Sequence, residues 1–170
     1  KAATIGWQHN CYDGYLHVKP VVFWQQENLL QQYLPNLDRY IVLSDYDKRD
    51  YMEKLGIDCE VKINPRSFVS EKKCDVKSKR FLMATRFVYA KGLDLMMESF
   101  EEFCKEDSEW ELDIIGDGDL FDQIRADAKK RHLEKRVHFV GYTNEPEKYY
   151  LNSSVFLLPS RWEGWPMVIM

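Results

Sequence analysis

The chain has 170 residues, 45% hydrophobic and 14% aromatic, so it has the apolar content to bury a core and is not a disordered segment. Its 24 basic and 28 acidic residues leave a net charge of −4, without the basic excess that marks a nucleic-acid binder. No apolar run reaches 18 residues, so no membrane-spanning helix is predicted.

The chain opens at Lys1 directly into a strand-like stretch and stops at Met170 inside what reads as a young helix, so both ends read as cut from a longer protein. Short apolar runs predict strands at 4–8, 40–44, 61–64, 81–85, 111–115, 137–140 and 155–158, each followed by a polar or Gly/Pro break. Helix-period segments lie between them. The first covers 45–55, with Ser44 as its N-cap. In 91–105, Leu93, Met96, Met97, Phe100, Phe103 and Cys104 recur at three- and four-residue spacing, and the methionine pair reads as core rather than as a cofactor box. Two more helices are expected over 119–131 and 145–151. Strands alternating with helices predict an α/β fold with parallel sheets. Periodicity lapses and charge rises over 64–79, which marks a hinge, and Lys72, Lys73, Lys77, Lys79 and Arg80 read as its solvated face. Cys11, Cys59, Cys74 and Cys104 form no CxxC pair and suit a reducing cytoplasm better than a disulfide framework.

Four local features can carry chemistry. His9-Asn10 ends the first strand, where a histidine is well placed for a crevice, although a lone histidine is more often structural; His17, His132 and His138 lack ligand-like spacing. Arg86 and Lys91 follow the strand at 81–85, with Gly92 opening the next helix. Two cations at the C-terminal edge of a parallel strand make an anion site, and the alternative is a pair of solvated loop charges. Gly116-Asp117-Gly118-Asp119 follows the strand at 111–115, where glycines let backbone approach a ligand. Its Asp-Gly-Asp triplet matches a metal-binding D-x-D, but capping of the next helix is the expected role of these acids. The last feature runs from Pro159 to Met170. Glu163 and Gly164 lie in a turn there, and Pro166 suits the first turn of a helix whose free N–H groups could face a diphosphate. Glu163 could accept hydrogen bonds from sugar hydroxyls or simply favour the helix dipole.

In this order the features resemble the retaining GT-B glycosyltransferases of family 4, through nearly the whole chain. Gly6-Trp7-Gln8-His9-Asn10 resembles the last inner strand of the family's N-terminal domain, with its functional histidine. Ile41-Val42-Leu43-Ser44 resembles the strand-to-serine step near that domain's end, and Val61-Lys62-Ile63-Asn64 the crossing into the second domain. Arg86 and Lys91 match the R-x4-K pair, Val137-His138-Phe139-Val140-Gly141 the V-x-F-x-G strand, and 159–170 the PS-x-x-E-G-x-P-x-V segment. Pro65 replaces the usual glycine after Asn64, and the family's second glutamate falls at position 171, one beyond Met170.

The resemblance implies two Rossmann-like domains with parallel sheets: the end of the first over 1–66, a linker over 67–79, and a donor-binding domain over 80–170. It implies transfer of a sugar from a nucleotide-diphosphate donor, most commonly a uridine diphosphate sugar, to a saccharide or lipid-linked acceptor. It also implies retention of configuration and chemistry without a metal or other cofactor. Arg86, Lys91 and the backbone of Gly164, Trp165, Pro166, Met167 and Val168 would bind the diphosphate. Gly116 and Gly118 would line the nucleotide, and Glu163 and His9 would serve catalysis at the donor sugar. A cytoplasmic enzyme, with room for peripheral association at the inner membrane face, fits that picture. Rivals are a catalytically silent GT-B subunit that steadies a partner enzyme and a non-hydrolysing nucleotide-sugar epimerase. No G-x-G-x-x-G follows any expected strand, against a dinucleotide-binding oxidoreductase. The aromatic opening with Trp7, Tyr12, Tyr15, Phe23 and Trp24 reads as core and domain interface before acceptor surface.

Overall fold

The structure, a computed structural model, describes residues 2–18, 26–66 and 69–170. It divides into two compact units, Lys1–Phe68 with Trp162–Met170, and Val69–Arg161. The sequence predicts a second unit that continues through 170, whereas the structure returns the last nine residues to the first.

In the first unit, β1 (Ile5–Trp7), β2 (Arg39–Val42) and β3 (Glu60–Val61) form a parallel sheet in that order, with Ile5 opposite Arg39 and Ile41 opposite Glu60. Helices α1 (Tyr12–Leu16), α2 (Glu27–Tyr33) and α3 (Asp45–Leu55) accompany it. As expected, Ser44 caps α3, its hydroxyl accepting from the Asp47 N–H at 3.1 Å. Gly56 ends α3 in the left-handed region, at φ 70°, and returns its N–H to the carbonyls of Met52 and Tyr51. Asp47 is almost wholly buried, and its Oδ1 also accepts from the Tyr12 N–H at 3.0 Å, which ties the start of α1 to α3. Tyr12, Leu16, Leu30, Val42, Tyr51, Ile57 and Cys59 form the core, with Tyr51 edge-on to Tyr12 and Tyr40. Burial pushes the Cys59 thiol up to about 12, so this cysteine is a packing residue. The short helices α1 and α2 are absent from the sequence expectations, because five and seven residues are too few to display a helical stripe. Phe23 and Trp24 lie outside the described residues.

In the second unit, β4 (Arg80–Ala84), β5 (Glu111–Ile115), β6 (Val137–Gly141) and β7 (Val155–Phe156) are all parallel, in the order β6-β5-β4-β7. Helices α4 (Leu93–Glu106), α5 (Phe121–Lys130) and α6 (Pro146–Leu151) connect them. Met83, Leu112, Ile114 and Val137 on the sheet pack against Leu93, Met96, Met97 and Phe100 of α4 and Ile124 and Ala128 of α5. Met96 and Met97 are thus core, as their spacing predicts. The opposite residues of the strands carry charge. Arg80 binds Asp113 at 2.9 Å and Glu111 at 2.5 Å, and the His138 ring meets Glu111 at 2.9 Å.

All seven expected strands are present, with β7 trimmed to two residues and β3 a two-residue strand that starts one residue early, at Glu60. The four expected helices are present as well, but three starts differ, α6 by a single residue at Pro146. Helix α4 begins at Leu93, because Tyr89–Lys91 forms a separate 3-10 turn and Gly92 turns the chain between them at φ 65°. Helix α5 begins at Phe121 on an N-cap, Leu120, that makes no side-chain capping bond. Asp117 and Asp119 therefore do not cap it as expected; Asp117 instead accepts from the neighbouring Gly118 N–H at 2.7 Å.

Candidate functional site

The second unit visits β4, adds β5 and β6 on one side, and returns to lay β7 against the other side of β4. Such a reversal of strand order opens a crevice at the carboxyl ends of the two strands that flank it. Here those strands are β4 and β7, and the loops leaving them carry Arg86 with Lys91 and residues 159–161 respectively. The loop after β4 is laced to the loop after β5. The Thr85 N–H donates to Ile115 O at 2.9 Å, the Phe87 N–H to Asp117 O at 2.9 Å, and the Leu120 N–H to Phe87 O at 2.9 Å. Phe87 itself is fully buried. Arg86, between two pinned neighbours, has a fixed backbone and an exposed side chain. Two glycines make the lacing possible. A Cβ on Gly116, at φ 123°, would lie 1.8 Å from Thr85 O, and one on Gly118, at φ 152°, 2.8 Å from the Phe87 nitrogen. Gly116 and Gly118 thus hold the loop that carries Arg86.

His9 and the last residues of the chain belong to the first unit, and the structure brings them together. Gly164 lies flat on the His9–Asn10 backbone, where a Cβ would meet His9 O at 2.5 Å and Asn10 Cα at 2.8 Å. The His9 ring stacks on Trp7 with centroids 5.4 Å apart and planes 23° apart. Its backbone N–H donates to Gln8 Oε1 at 3.1 Å, and Gln8 Nε2 in turn reaches the Tyr51 hydroxyl at 3.4 Å. Beside it, Trp162 packs on α1 at Gly14, where a Cβ would sit 2.3 Å from the indole. Glu163, Gly164, Trp165, Pro166 and Val168 are half-buried and Met167 exposed. The helix expected from Pro166 is a single 3-10 turn over Met167–Ile169, with Pro166 extended ahead of it at ψ 102°. Its bonds are Ile169 N to Pro166 O and Met170 N to Met167 O, the i→i+3 pattern that three residues can close.

Among the described residues no three His, Cys, Asp or Glu side chains gather to hold a metal ion, and no helix is long and apolar enough to cross a membrane. A family model described as glycosyl transferases group 1 matches residues 67–170, more than half of the chain. The chain belongs to this family.

Among group 1 relatives, an uncharacterised glycosyltransferase of Haemophilus influenzae is 28% identical over 135 residues, 78% of this chain and 38% of its own. A lipopolysaccharide 1,6-galactosyltransferase of Salmonella typhimurium is 30% identical over 94 residues, 53% of this chain and 26% of its own. In structure, S. aureus TarM in complex with UDP superposes with a TM-score of 0.84 at 21% identity, over 98% of this chain and 34% of TarM. The lipopolysaccharide outer core galactosyltransferase WaaB gives 0.62 at 28% identity, over 80% of this chain and 40% of WaaB. The α/β fold with parallel sheets matches GT-B glycosyltransferase structures, and the chain spans roughly a quarter to two-fifths of the length of these relatives.

Within the group 1 segment, sequence reasoning passes over Arg161 and Asp94. Two Arg161 nitrogens meet both Asp94 oxygens, at 2.8 and 2.6 Å, a pairing whose 67-residue separation gives no local signal. Gly14, a glycine within a helix, is the one clue to the Trp162 contact that the sequence offers.

Proposed function

We propose that the full-length protein transfers a sugar from a nucleotide-diphosphate donor to a saccharide or lipid-linked saccharide acceptor, with retention of anomeric configuration and without a metal ion or other cofactor. The observation that supports this reading most is the pair Arg86 and Lys91 on the loop that leaves β4, at the reversal of strand order beside β7. Cleavage of the bond between sugar C1 and the diphosphate oxygen builds negative charge on the departing phosphate. A planar guanidinium and an ammonium placed in advance lower that barrier as a metal ion otherwise would.

In this reading Arg86 and Lys91 take the diphosphate oxygens, aided by backbone N–H groups of Gly164, Trp165, Met167 and Val168 and by the bend at Pro166. Gly116 and Gly118 line the nucleotide. Glu163 accepts hydrogen bonds from donor-sugar hydroxyls, and His9, steadied by Trp7, serves the sugar or acceptor. The donor half, expected over 80–170, is in this reading the second unit, Val69–Arg161. A uridine donor is favoured because the solved complexes of TarM and of the pneumococcal O-GlcNAc transferase GtfA contain UDP. A surface-saccharide acceptor, and with it work at the cytoplasmic face of the membrane, is favoured by the lipopolysaccharide and amylovoran enzymes among the relatives.

The test is transfer by the full-length protein with Arg86→Ala and Lys91→Ala, with and without EDTA. Each substitution is expected to lower kcat/KM by about 10²–10³ while EDTA changes nothing. Unchanged rates in both variants would remove the diphosphate assignment. Release of an epimer without any acceptor would replace transferase by epimerase.

A further inference from the structure

On the donor-site reading of Arg86 and Lys91, we propose that Arg161 is a positioning residue that holds the Lys91 ammonium ready for the diphosphate. Lys91 ends the 3-10 turn Tyr89–Lys91. The bonds that close this turn run from Lys91 N to Val88 O, at 3.0 Å, and from Gly92 N to Tyr89 O, at 3.3 Å. So short a turn has poor hydrogen-bond geometry and no neighbouring turns to sustain it. Lysine adds a flexible four-carbon stem, so any preorganisation of its charge depends on where its Cα is held.

Arg161 supplies that hold from the strand side. Its backbone N–H donates to Ala90 O at 2.8 Å, and Nη1 donates to Tyr89 O at 2.8 Å. Nη1 and Nη2 also engage Asp94, in the first turn of α4, at 2.8 and 2.6 Å, and the guanidinium carbon stands 4.0 Å over the Tyr89 ring. One residue thus joins the segment after β7 to both residues preceding Lys91 and to the helix that follows it, its side chain holding Tyr89 and Asp94 and its backbone N–H holding Ala90. Asp94 already balances the guanidinium, and the Arg161 side chain is only 19% exposed. It is therefore built as a brace and not as a further phosphate ligand. A brace of this kind lowers the entropy lost when Lys91 closes on its ligand.

A double-mutant cycle on the full-length protein separates the possibilities. The dissociation constant of uridine or guanosine diphosphate, whichever the wild type binds, is measured for wild type, Lys91→Ala, Arg161→Ala and the double variant, with near-ultraviolet dichroism giving the folded fraction. Arg161→Ala is expected to weaken binding about tenfold per folded molecule, and the double variant to bind no worse than Lys91→Ala alone. Arg161→Lys is expected to stay weak, because one ammonium cannot serve the carboxylate, the carbonyl and the ring together. Should Arg161→Ala not fold, Asp94→Asn takes its place in the cycle with a loss in the same direction. Wild-type affinity per folded molecule in Arg161→Ala, or a loss that adds in full to that of Lys91→Ala, overturns the positioning role while leaving the donor site standing. Unchanged binding in Lys91→Ala, or a wild type that binds neither diphosphate, overturns the donor site itself and the brace with it.

Discussion

At Gly116 the backbone carries a constraint that no side chain tolerates. The residue sits at φ 123°, and a Cβ would lie 1.8 Å from a backbone oxygen that cannot move without breaking the lacing of β4 to β5. Gly116→Ala is therefore expected to destabilise the protein by about 2–4 kcal/mol in chemical denaturation and to weaken nucleotide binding together with stability. A fully stable variant with normal binding would contradict this account of the loop. His17 offers a milder test. Its ring meets Asp13 and Glu27 at 2.8 Å each, and these hydrogen bonds, Asp13 first, raise its pKa above the ordinary value. The His17 hydrogen bond likewise lowers that of Asp13. A raised histidine contributes stability that is full below about pH 6.5 and is lost as pH rises through the folded value. The lowered Asp13 contributes above about pH 4 and loses its part as pH falls through its own folded value. The tie between α1 and α2 is thus strongest between those limits. His17→Asn is expected to flatten the decline in melting temperature between pH 6 and 8, by a small amount because the ring is 43% exposed. At this scale the sequence displays residue types but not their partners. Arg86, Lys91 and Glu163 stand out as candidates by their spacing within a resemblance, whereas Arg161 with Asp94 and Trp162 with Gly14 arise only when distant segments fold together.

Among the elements, α3 shows the closest agreement between sequence and structure. Ser44, the acidic first turn with Asp45 and Asp47, Lys54 in the last turn and Gly56 at the end are all local signals, and the helix runs between them over Asp45–Leu55. Ser44→Ala is expected to cost about 1–2 kcal/mol, at the upper end for a cap, because the Ser44 hydroxyl also reaches the buried Asp47 carboxylate at 2.5 Å. Equilibrium unfolding measures it, and a loss below about 0.5 kcal/mol would show that the cap is redundant. The strands are legible because each carries a short apolar run bounded by polar or Gly/Pro breaks, even where, as at Arg80, Glu111 and His138, one face bears charge. Less legible are α1 and α2, too short for periodicity, and the start of α4, where Gly92 breaks the chain into a 3-10 turn and a helix. The stretch after Pro166 misleads because a proline suits the first turn of an α-helix and the extended residue ahead of a 3-10 turn equally well.

At the scale of the molecule, two parallel α/β units and a group 1 match over 67–170 agree with the alternation of strands and helices along the chain. Strand order β6-β5-β4-β7 is not written in that alternation. It depends on where the crossover after β6 returns, and that crossover is what gathers the loops of Arg86, Lys91 and Arg161 at one sheet edge. The central claim, that Arg86 and Lys91 receive a nucleotide diphosphate without a metal, is tested most directly by calorimetric titration of uridine and guanosine diphosphates into the full-length protein, in magnesium and in EDTA. The account predicts binding of one nucleotide with the same affinity in both buffers, reduced at least tenfold in Arg86→Ala. Binding that requires magnesium, or that Arg86→Ala leaves intact, would contradict it, and a wild type that binds neither nucleotide would point to a catalytically silent subunit.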